Sequence, residues 1–198
     1  SVIPKLKQLD PNLYEAALKA VKNAEASPSV ANINLAQGKI DVMSSEDVRK
    51  AELQTRLDAV LEGMFTDAEG KVTKAEGTRN NTDITTAYTS VNKLPDGDRK
   101  QALIDRLDAL KQAIEDDSLY DAALKAVIQA EQNTNASTIA NAQSKIDAMN
   151  STDTRKGELQ ARLDTAYEKL KSDAIASVEK AETTKAQADV DAGRTIVN

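Results

Sequence analysis

The residues most suggestive of chemistry are the arginine and aspartate of a repeated Arg-Leu-Asp tripeptide. The pattern Lys-x-x-Leu-x-x-Arg-Leu-Asp occurs three times, beginning at Lys50, Lys100 and Lys156. Residues two apart on a helix point away from each other, so the arginine and aspartate cannot pair within it. They could reach a ligand, or groups on neighbouring helices. We favour structural ion pairs or contacts with loop carbonyls.

Two acidic clusters, Glu115-Asp116-Asp117 and Asp96-Gly97-Asp98, could hold Ca²⁺ through carboxylate oxygens. Neither matches the twelve-residue loop of an EF-hand. Carboxylates are also favourable at the first turn of a helix, where they oppose the helix dipole. We therefore interpret both clusters as helix starts.

The sequence contains no His, Cys or Trp. Ser-His-Asp and Cys-His catalysis and zinc sites built on Cys or His are therefore excluded within these 198 residues. No other acid–base, nucleophile or metal constellation is visible. The sequence predicts no catalytic, cofactor-binding or metal-ligating residue, no cofactor, and a chain that is not an enzyme.

Net charge and composition limit the kinds of partner that the chain could bind. A net charge of −6 and a pI near 4.9 argue against nucleic acid and anionic surfaces, which are bound by clusters of Lys and Arg. No apolar run is long enough to span a membrane. The first ten residues lack the apolar core of a signal peptide, which suggests a mature or excised segment. Hydrophobic residues make up 40% but aromatic residues only 3%, which favours a core of closely packed helices over a sheet.

An internal repeat of three helix types organises the chain. Helix A recurs at residues 12–27, 63–78, 118–133 and 169–184, with Val21, Val72, Val127 and Val178 as markers 51, 55 and 51 residues apart. Helix B follows each copy, and the three complete copies are predicted to be capped by Ser29, Asn80 and Asn135. Helix C carries the Arg-Leu-Asp pattern. We expect Ser45 and Ser151 to start two C helices and the turn at residues 94–98 to start the middle one.

The longest apolar stripe runs from Asp47 to Glu76, where helix C continues into the next helix A without a stop signal. Its steps of three and four residues keep one helical face apolar over about 45 Å. The stripe consists of Leu53, Leu57, Val60, Met64, Ala68, Val72 and Ala75, and it recurs as Leu159, Leu163, Ala166, Leu170, Ala174, Val178 and Ala181. Leu57, Leu107 and Leu163 are predicted to lie buried at the centre of helix C. The predicted fold is all-α: tandem three-helix bundles joined by shared continuous helices in a spectrin-like rod.

The junction near Glu115 departs from the repeat. Arg106 and Val127 are 21 residues apart, whereas the other two junctions span 16. Either the helix stops and Ser118 caps a new one, or the third bundle turns around the rod axis. We favour a break or kink, because consecutive Asp residues are poor helix formers. Asp10 is predicted to cap the first helix A, with Pro11 at its first position. The predicted division is residues 1–10 as the tail of a preceding repeat, 11–62, 63–116 and 117–168 as three repeats, and 169–198 as a partial fourth.

The segment from Ile84 to Asp108 resembles a known module. Its pattern, I-x-x-A-x-x-x-V-x-x-L-P-D-G-x-x-K-x-x-L-x-x-R-L-D, is similar to the all-helical, spectrin-like repeat of secreted Gram-positive S-layer and cell-surface proteins. A looser likeness is to the helical protoxin domain of Bacillus insecticidal crystal toxins. The resemblance implies an extracellular or cell-wall location on a Gram-positive bacterium and a non-enzymatic role. It transfers no binding residues.

These observations favour a structural spacer of a bacterial cell-surface or S-layer-like protein. Its expected partners are other domains of the same large protein, with self-assembly left open. The alternative is an adhesin-type helical module that recognises a host protein, a glycan or a cell-wall polymer. A contiguous exposed apolar patch would support that alternative, and the periodicity shows no obvious one.

Overall fold

The computed structural model describes residues 10–184 and 187–197. Helix accounts for 86% of them and no strand occurs within these ranges, so the predicted all-α fold, with more than two-thirds helix, is confirmed. The helices are α1 (Pro11–Ala26), α2 (Val30–Asp41), α3 (Val48–Thr78), α4 (Asn81–Asn92), α5 (Asp98–Gln132), α6 (Ala136–Ala148), α7 (Arg155–Thr184) and α8 (Gln187–Val197). Helix A corresponds to α1 and to the second halves of α3, α5 and α7. Helix B corresponds to α2, α4, α6 and α8, and helix C to the first halves of the three long helices.

The predicted caps of helix B are confirmed. The side chains of Ser29, Asn80 and Asn135 each accept a hydrogen bond from the backbone N–H three residues later. Asn135 belongs to a full capping box, because the Thr138 hydroxyl in turn accepts from the Asn135 N–H at 3.2 Å. Asp10 caps α1 as expected, and Pro11 is its first residue.

The starts of two C helices were predicted wrongly. Ser45 and Ser151 lie in turns, and the helices begin later, at Val48 and Arg155. The acceptor at the start of α3 is Asp47, whose carboxylate receives the Arg49 N–H at 3.0 Å. Asp153 receives the Arg155 N–H at 2.9 Å. A carboxylate is the stronger acceptor and also opposes the helix dipole, which explains why the helix begins there rather than at the serine.

The long C-to-A helices are present in α3 and α7, as predicted. The break expected near Ser118 is wrong, because α5 continues as helix from Asp98 to Gln132. Two side-chain contacts engage the acidic residues inside it: Gln112 donates to Asp116 at 3.0 Å, and Arg155 donates to Asp117 at 2.9 Å. The helix penalty of an Asp is at most about 0.7 kcal/mol relative to Ala, which such contacts can offset. The interpretation of residues 115–117 as a helix start is therefore also wrong.

The described residues divide into two compact units, one up to Leu110 and one from Lys111 onwards. In the first, α1, α2 and the first half of α3 surround a core made of Ala17, Ala20, Val21, Ala24, Ala36, Ile40, Met43, Leu53 and Leu57. Buried residues continue along the second half of α3, along α4 and into α5, ending at Leu110. The burial predicted for Leu57 and Leu107 is confirmed.

The second unit repeats this core with the corresponding residues of the third copy. The buried residues are Ala123, Ala126, Val127, Ala130, Ala142, Ile146, Met149, Leu159 and Leu163. They come from the second half of α5, from α6 and from the first half of α7. Leu163 is 1% exposed, so its predicted burial is confirmed as well.

The fourth copy of helix A departs from the predicted stripe at Val178. This side chain is 49% exposed, whereas Val21, Val72 and Val127 are completely buried. In α8, Gly193 stands where the other B helices have alanine, and a Cβ built on it would lie 3.1 Å from the Ser177 Oγ. Ser177 therefore lies at a close approach of α7 and α8.

Candidate functional site

The three arginines of the Arg-Leu-Asp pattern form the same contact in each copy. Each guanidinium donates two hydrogen bonds to one glutamate near the end of helix A. Arg56 binds Glu25 at 2.8 and 2.8 Å, Arg106 binds Glu76 at 2.9 and 2.7 Å, and Arg162 binds Glu131 at 2.9 and 2.8 Å. The structural ion-pair interpretation is confirmed for the arginines. We call each pair a clasp, because it ties helix C to helix A.

The clasps lie at the edge of the core, with about a third of each side chain exposed. The hydrogen bond from each arginine holds the pKa of Glu25, Glu76 and Glu131 below its ordinary value. The same bonds raise the pKa of each arginine partner. Each pair therefore stays ionised in the folded chain at neutral pH, with its charges matched and partly hydrated.

The aspartates of the pattern are held by hydrogen bonds instead. Asp58 accepts from Gln54 at 2.8 Å and Asp164 from Gln160 at 2.8 Å. In the middle copy the Tyr88 hydroxyl donates to Asp108. Partial burial, together with this bond, raises the pKa of Tyr88 to about 12.

Two glutamines join helix B to helix C in the first and third copies. The amides of Gln37 and Gln54 donate to each other at 2.8 and 2.9 Å. Gln143 and Gln160 repeat the arrangement at 2.9 Å in both directions. Tyr88 occupies the position of Gln37 in the middle copy, so its bond to Asp108 replaces the glutamine pair.

The lysine of the pattern caps the C-terminal end of helix B. The Lys50 Nζ donates to the carbonyls of Asp41 and Met43 at 3.1 and 2.9 Å. Lys156 does the same with Asp147 and Met149 at 3.3 and 3.0 Å. The ammonium satisfies carbonyls that have no partner within the helix and opposes the dipole at that end. Contacts with loop carbonyls were considered for the arginine and aspartate, and the lysine contacts described here were not predicted.

A second set of arginines stacks on the aromatic residues of helix A. The guanidinium carbon lies 4.0 Å from the ring centre for Arg49 over Tyr14, 4.0 Å for Arg99 over Phe65 and 4.4 Å for Arg155 over Tyr120. The sequence analysis did not predict these cation–π contacts. The signal was present in the sequence: an arginine precedes the lysine of every Lys-x-x-Leu pattern.

The acidic clusters have partners within the protein. Asp96 accepts from Lys100 at 2.9 Å, and Asp117 accepts from Arg155 at 2.9 Å. Asp98 is the first residue of α5, as its interpretation as a helix start predicted. Among residues 10–184 and 187–197, no three acidic side chains come close enough together to hold a metal ion.

An apolar groove on α6 and α7 was not predicted. It has a volume of about 660 Å³, and its walls include Ile139, Tyr167, Leu170, Ala174 and Ile175. Tyr167 and Ile175 are about half exposed. Periodicity did not reveal the groove, because it lies between two helices and because Tyr167 and Ile175 fall outside the apolar stripe of α7.

The polar groups of the repeated pattern are engaged in holding helices together. Arginines bind helix A, lysines close helix B, and glutamines or Tyr88 join helix B to helix C. Chemically, the arrangement is a set of ion pairs and hydrogen bonds between helices, repeated along the chain. No helix in the described part of the chain is both long and apolar enough to cross a membrane.

Comparison with known proteins gives one distant similarity. The chain is 33% identical over 157 residues to the "Minor extracellular protease Epr" of Bacillus subtilis (strain 168). The matched region covers 79% of this chain but only 23% of the length of that protein. No family model matches the sequence. No solved structure matches it either.

Proposed function

We propose that the chain is a non-catalytic spacer of a secreted or cell-surface protein of a Gram-positive bacterium. Its architecture is a series of three-helix bundles in which the C helix of one bundle continues as the A helix of the next. The length and stiffness of the shared helices set the distance between the domains at either end. Those domains are its proposed partners.

The observation that supports this proposal most strongly is that the same contacts between helices recur on helices that run through successive repeats. The Arg–Glu clasp occupies the same positions in three copies. In α3, the first clasp engages Arg56 and the second engages Glu76, so a single helix of 31 residues belongs to both sets of contacts. A helix shared in this way transmits bending and tension directly from one bundle to the next.

The location proposed here has independent support in the similarity to an extracellular protease. The chain matches less than a quarter of that protein and has no histidine or cysteine of its own. We therefore propose that the shared region serves as an accessory helical segment, outside the part that cleaves peptide bonds.

The substitution Leu61→Pro tests the mechanical role of α3. Leu61 lies in the middle of the helix, between the two clasps, where proline removes a backbone hydrogen bond and clashes with the preceding turn. The variant should keep most of its helix content but show a bent or broadened ensemble by small-angle scattering. The matched control Leu61→Ala should keep the wild-type profile. If Leu61→Pro also keeps it, the bundles are held by surfaces other than α3, and the spacer mechanism is wrong.

The groove on α6 and α7 favours a second candidate, an adhesin-type binding module. Its half-exposed Tyr167 and Ile175 could contact the apolar face of a glycan or a host protein. A pull-down of the purified chain with Gram-positive cell walls distinguishes the two functions. Retention that is lost in the variant Tyr167→Ala would favour the binding module over the spacer.

A further inference from the structure

One face of the α7–α8 pair is open in the described part of the chain. Ile175 and Val178 are 52% and 49% exposed. The residues equivalent to Ile175 in the first and third copies, Leu18 and Leu124, pack against their cores. The valines equivalent to Val178 are fully buried in all three other copies. The fourth copy therefore has the apolar residues of a bundle face without the cover present elsewhere.

In the other copies, the cover is a C helix. On the second half of α3 it is the beginning of α5, which buries Leu103 and Leu107. Arg106 of that segment donates to Glu76 at 2.9 and 2.7 Å. The covering element is thus a helix that presents two leucines and an arginine to this face.

The fourth copy also retains the glutamate of the clasp. Glu182 is the repeat equivalent of Glu25, Glu76 and Glu131, each of which binds an arginine of helix C. Its side chain is exposed and forms no ion pair with any residue that the structure describes. An exposed apolar pair flanked by this carboxylate matches a helix that presents leucines and an arginine.

We propose that the open face formed by Ile175, Val178 and Glu182 docks an amphipathic helix with the pattern Leu-x-x-Arg-Leu. The arginine of that helix binds Glu182, and its leucines cover Ile175 and Val178. The C helices in the described part of the chain pack in their own bundles, so the docked helix is an additional one. The inference rests on the bundle architecture proposed above and does not depend on the spacer role.

One contact of the covered copies is not expected at this site. Lys171 stands where the other copies have Tyr14, Phe65 and Tyr120, so no ring is available for a stacked arginine. Lys171 instead pairs with Glu168 at 3.4 Å. Recognition of the docked helix is therefore carried by its leucines and by the arginine that reaches Glu182.

A synthetic peptide with the sequence of residues 98–113 provides the probe, because it contains Leu103, Arg106 and Leu107. It is added to the full chain while the methyl signals of Ile175 and Val178 are followed by NMR. We expect saturable shifts of these methyl groups. A peptide with Arg106→Glu should bind at least about fivefold more weakly, because it places two carboxylates together.

A charge swap makes the test specific. The chain variant Glu182→Arg should lose affinity for the unmodified peptide and regain it for the peptide with Arg106→Glu. Glu158→Arg makes the same change in charge on α7 at an exposed position 24 residues away, and it should leave binding unchanged. The proposal is overturned if the swap restores nothing. It is also overturned if both methyl groups shift with chain concentration in the absence of peptide, since the face would then bind a second copy.

A short peptide is only marginally helical in water, so a linked version provides a second measurement. Val197-Asn198 aligns with Val91-Asn92, and a copy of residues 93–113 can therefore be appended in the natural register. We expect Ile175 and Val178 to become protected from a soluble paramagnetic probe, and Arg106→Glu in the appended copy to reduce that protection. If neither the peptide nor the appended helix shields them, the docking site does not exist. The spacer proposal would be untouched, because it depends on α3.

Discussion

The clasp between Arg56 and Glu25 provides a quantitative test of how the repeats are held together. Two hydrogen bonds of 2.8 Å join the guanidinium to the carboxylate, between side chains that are 31% and 37% exposed. We consider the single variants Arg56→Gln and Glu25→Gln and the double variant. Comparison of the three isolates the coupling energy of the pair from the effect of each side chain alone.

The expected magnitude follows from geometry and exposure. Two unit charges about 4 Å apart attract by about 1 kcal/mol in water and by about 4 kcal/mol at an effective dielectric constant near 20. Partial exposure places the clasp nearer the first limit, and fixing two long side chains offsets part of the gain. The bidentate geometry favours the upper end of the range for exposed pairs. We therefore expect a coupling energy of about 0.5–1 kcal/mol.

Native-state hydrogen exchange of amides in α1 and α3 is the appropriate assay, because repeat arrays need not unfold in one step. The chain contains its own control in Glu182, which has the same repeat position but forms no ion pair with the described residues. Glu182→Gln should change local stability by less than Glu25→Gln does. Equal effects of the two variants, together with a coupling energy near zero, would refute the conclusion that the clasp stabilises the packing of helix C on helix A.

Three further predictions concern the core, the caps and acid stability. Truncation of Leu57, Leu107 or Leu163 to Ala should each reduce local stability by about 2–5 kcal/mol, measured by native-state hydrogen exchange, and negligible loss at all three would contradict the assigned core. Asn135→Ala should cost about 0.5–2 kcal/mol of local stability by hydrogen exchange, whereas Ser151→Ala should cost almost nothing because Asp153 is the acceptor at the start of α7. The clasp lowers the pKa of Glu25, Glu76 and Glu131 in the folded chain. Its contribution to stability is therefore fully present above the glutamate pKa of the unfolded chain, about 4.3, and is lost as the pH falls through the lower pKa values of the folded chain. Denaturation at neutral and acidic pH should show this loss, and it should shrink when Arg56, Arg106 and Arg162 are all replaced by Gln.

Local signals in the sequence predicted the local structure well. Ser29, Asn80 and Asn135 were identifiable as caps because a cap depends only on the residue and the three that follow it. Leu57 and Leu163 were identifiable as core because the stripe repeats at helical spacing over several turns. Ser45 and Ser151 were mistaken for caps because an aspartate two residues later caps the helix instead, and spacing alone does not decide between the two.

Features that depend on neighbouring elements were not predictable in the same way. The break expected near Ser118 rested on the weak helix propensity of aspartate, and the surrounding helix formers and side-chain contacts overcame it. Val178 matched the stripe, but its exposure depends on whether a third helix covers it. The stacking of Arg49 on Tyr14 joins residues far apart in sequence, and only a comparison of all the repeats together could have suggested it. The five-part division of the chain remains a prediction.

The continuity of the helix proposed to join successive bundles can be measured directly along α3. Spin labels at Ala51 and Gly77 occupy exposed positions near its two ends, 26 residues apart. A continuous α-helix places their Cα atoms about 39 Å apart, at about 1.5 Å per residue. Pulsed electron spin resonance should therefore give a single narrow distribution close to that distance, and Leu61→Pro should shorten and broaden it. A short or broad distribution in the unmodified chain would contradict the shared helix and the spacer function proposed from it.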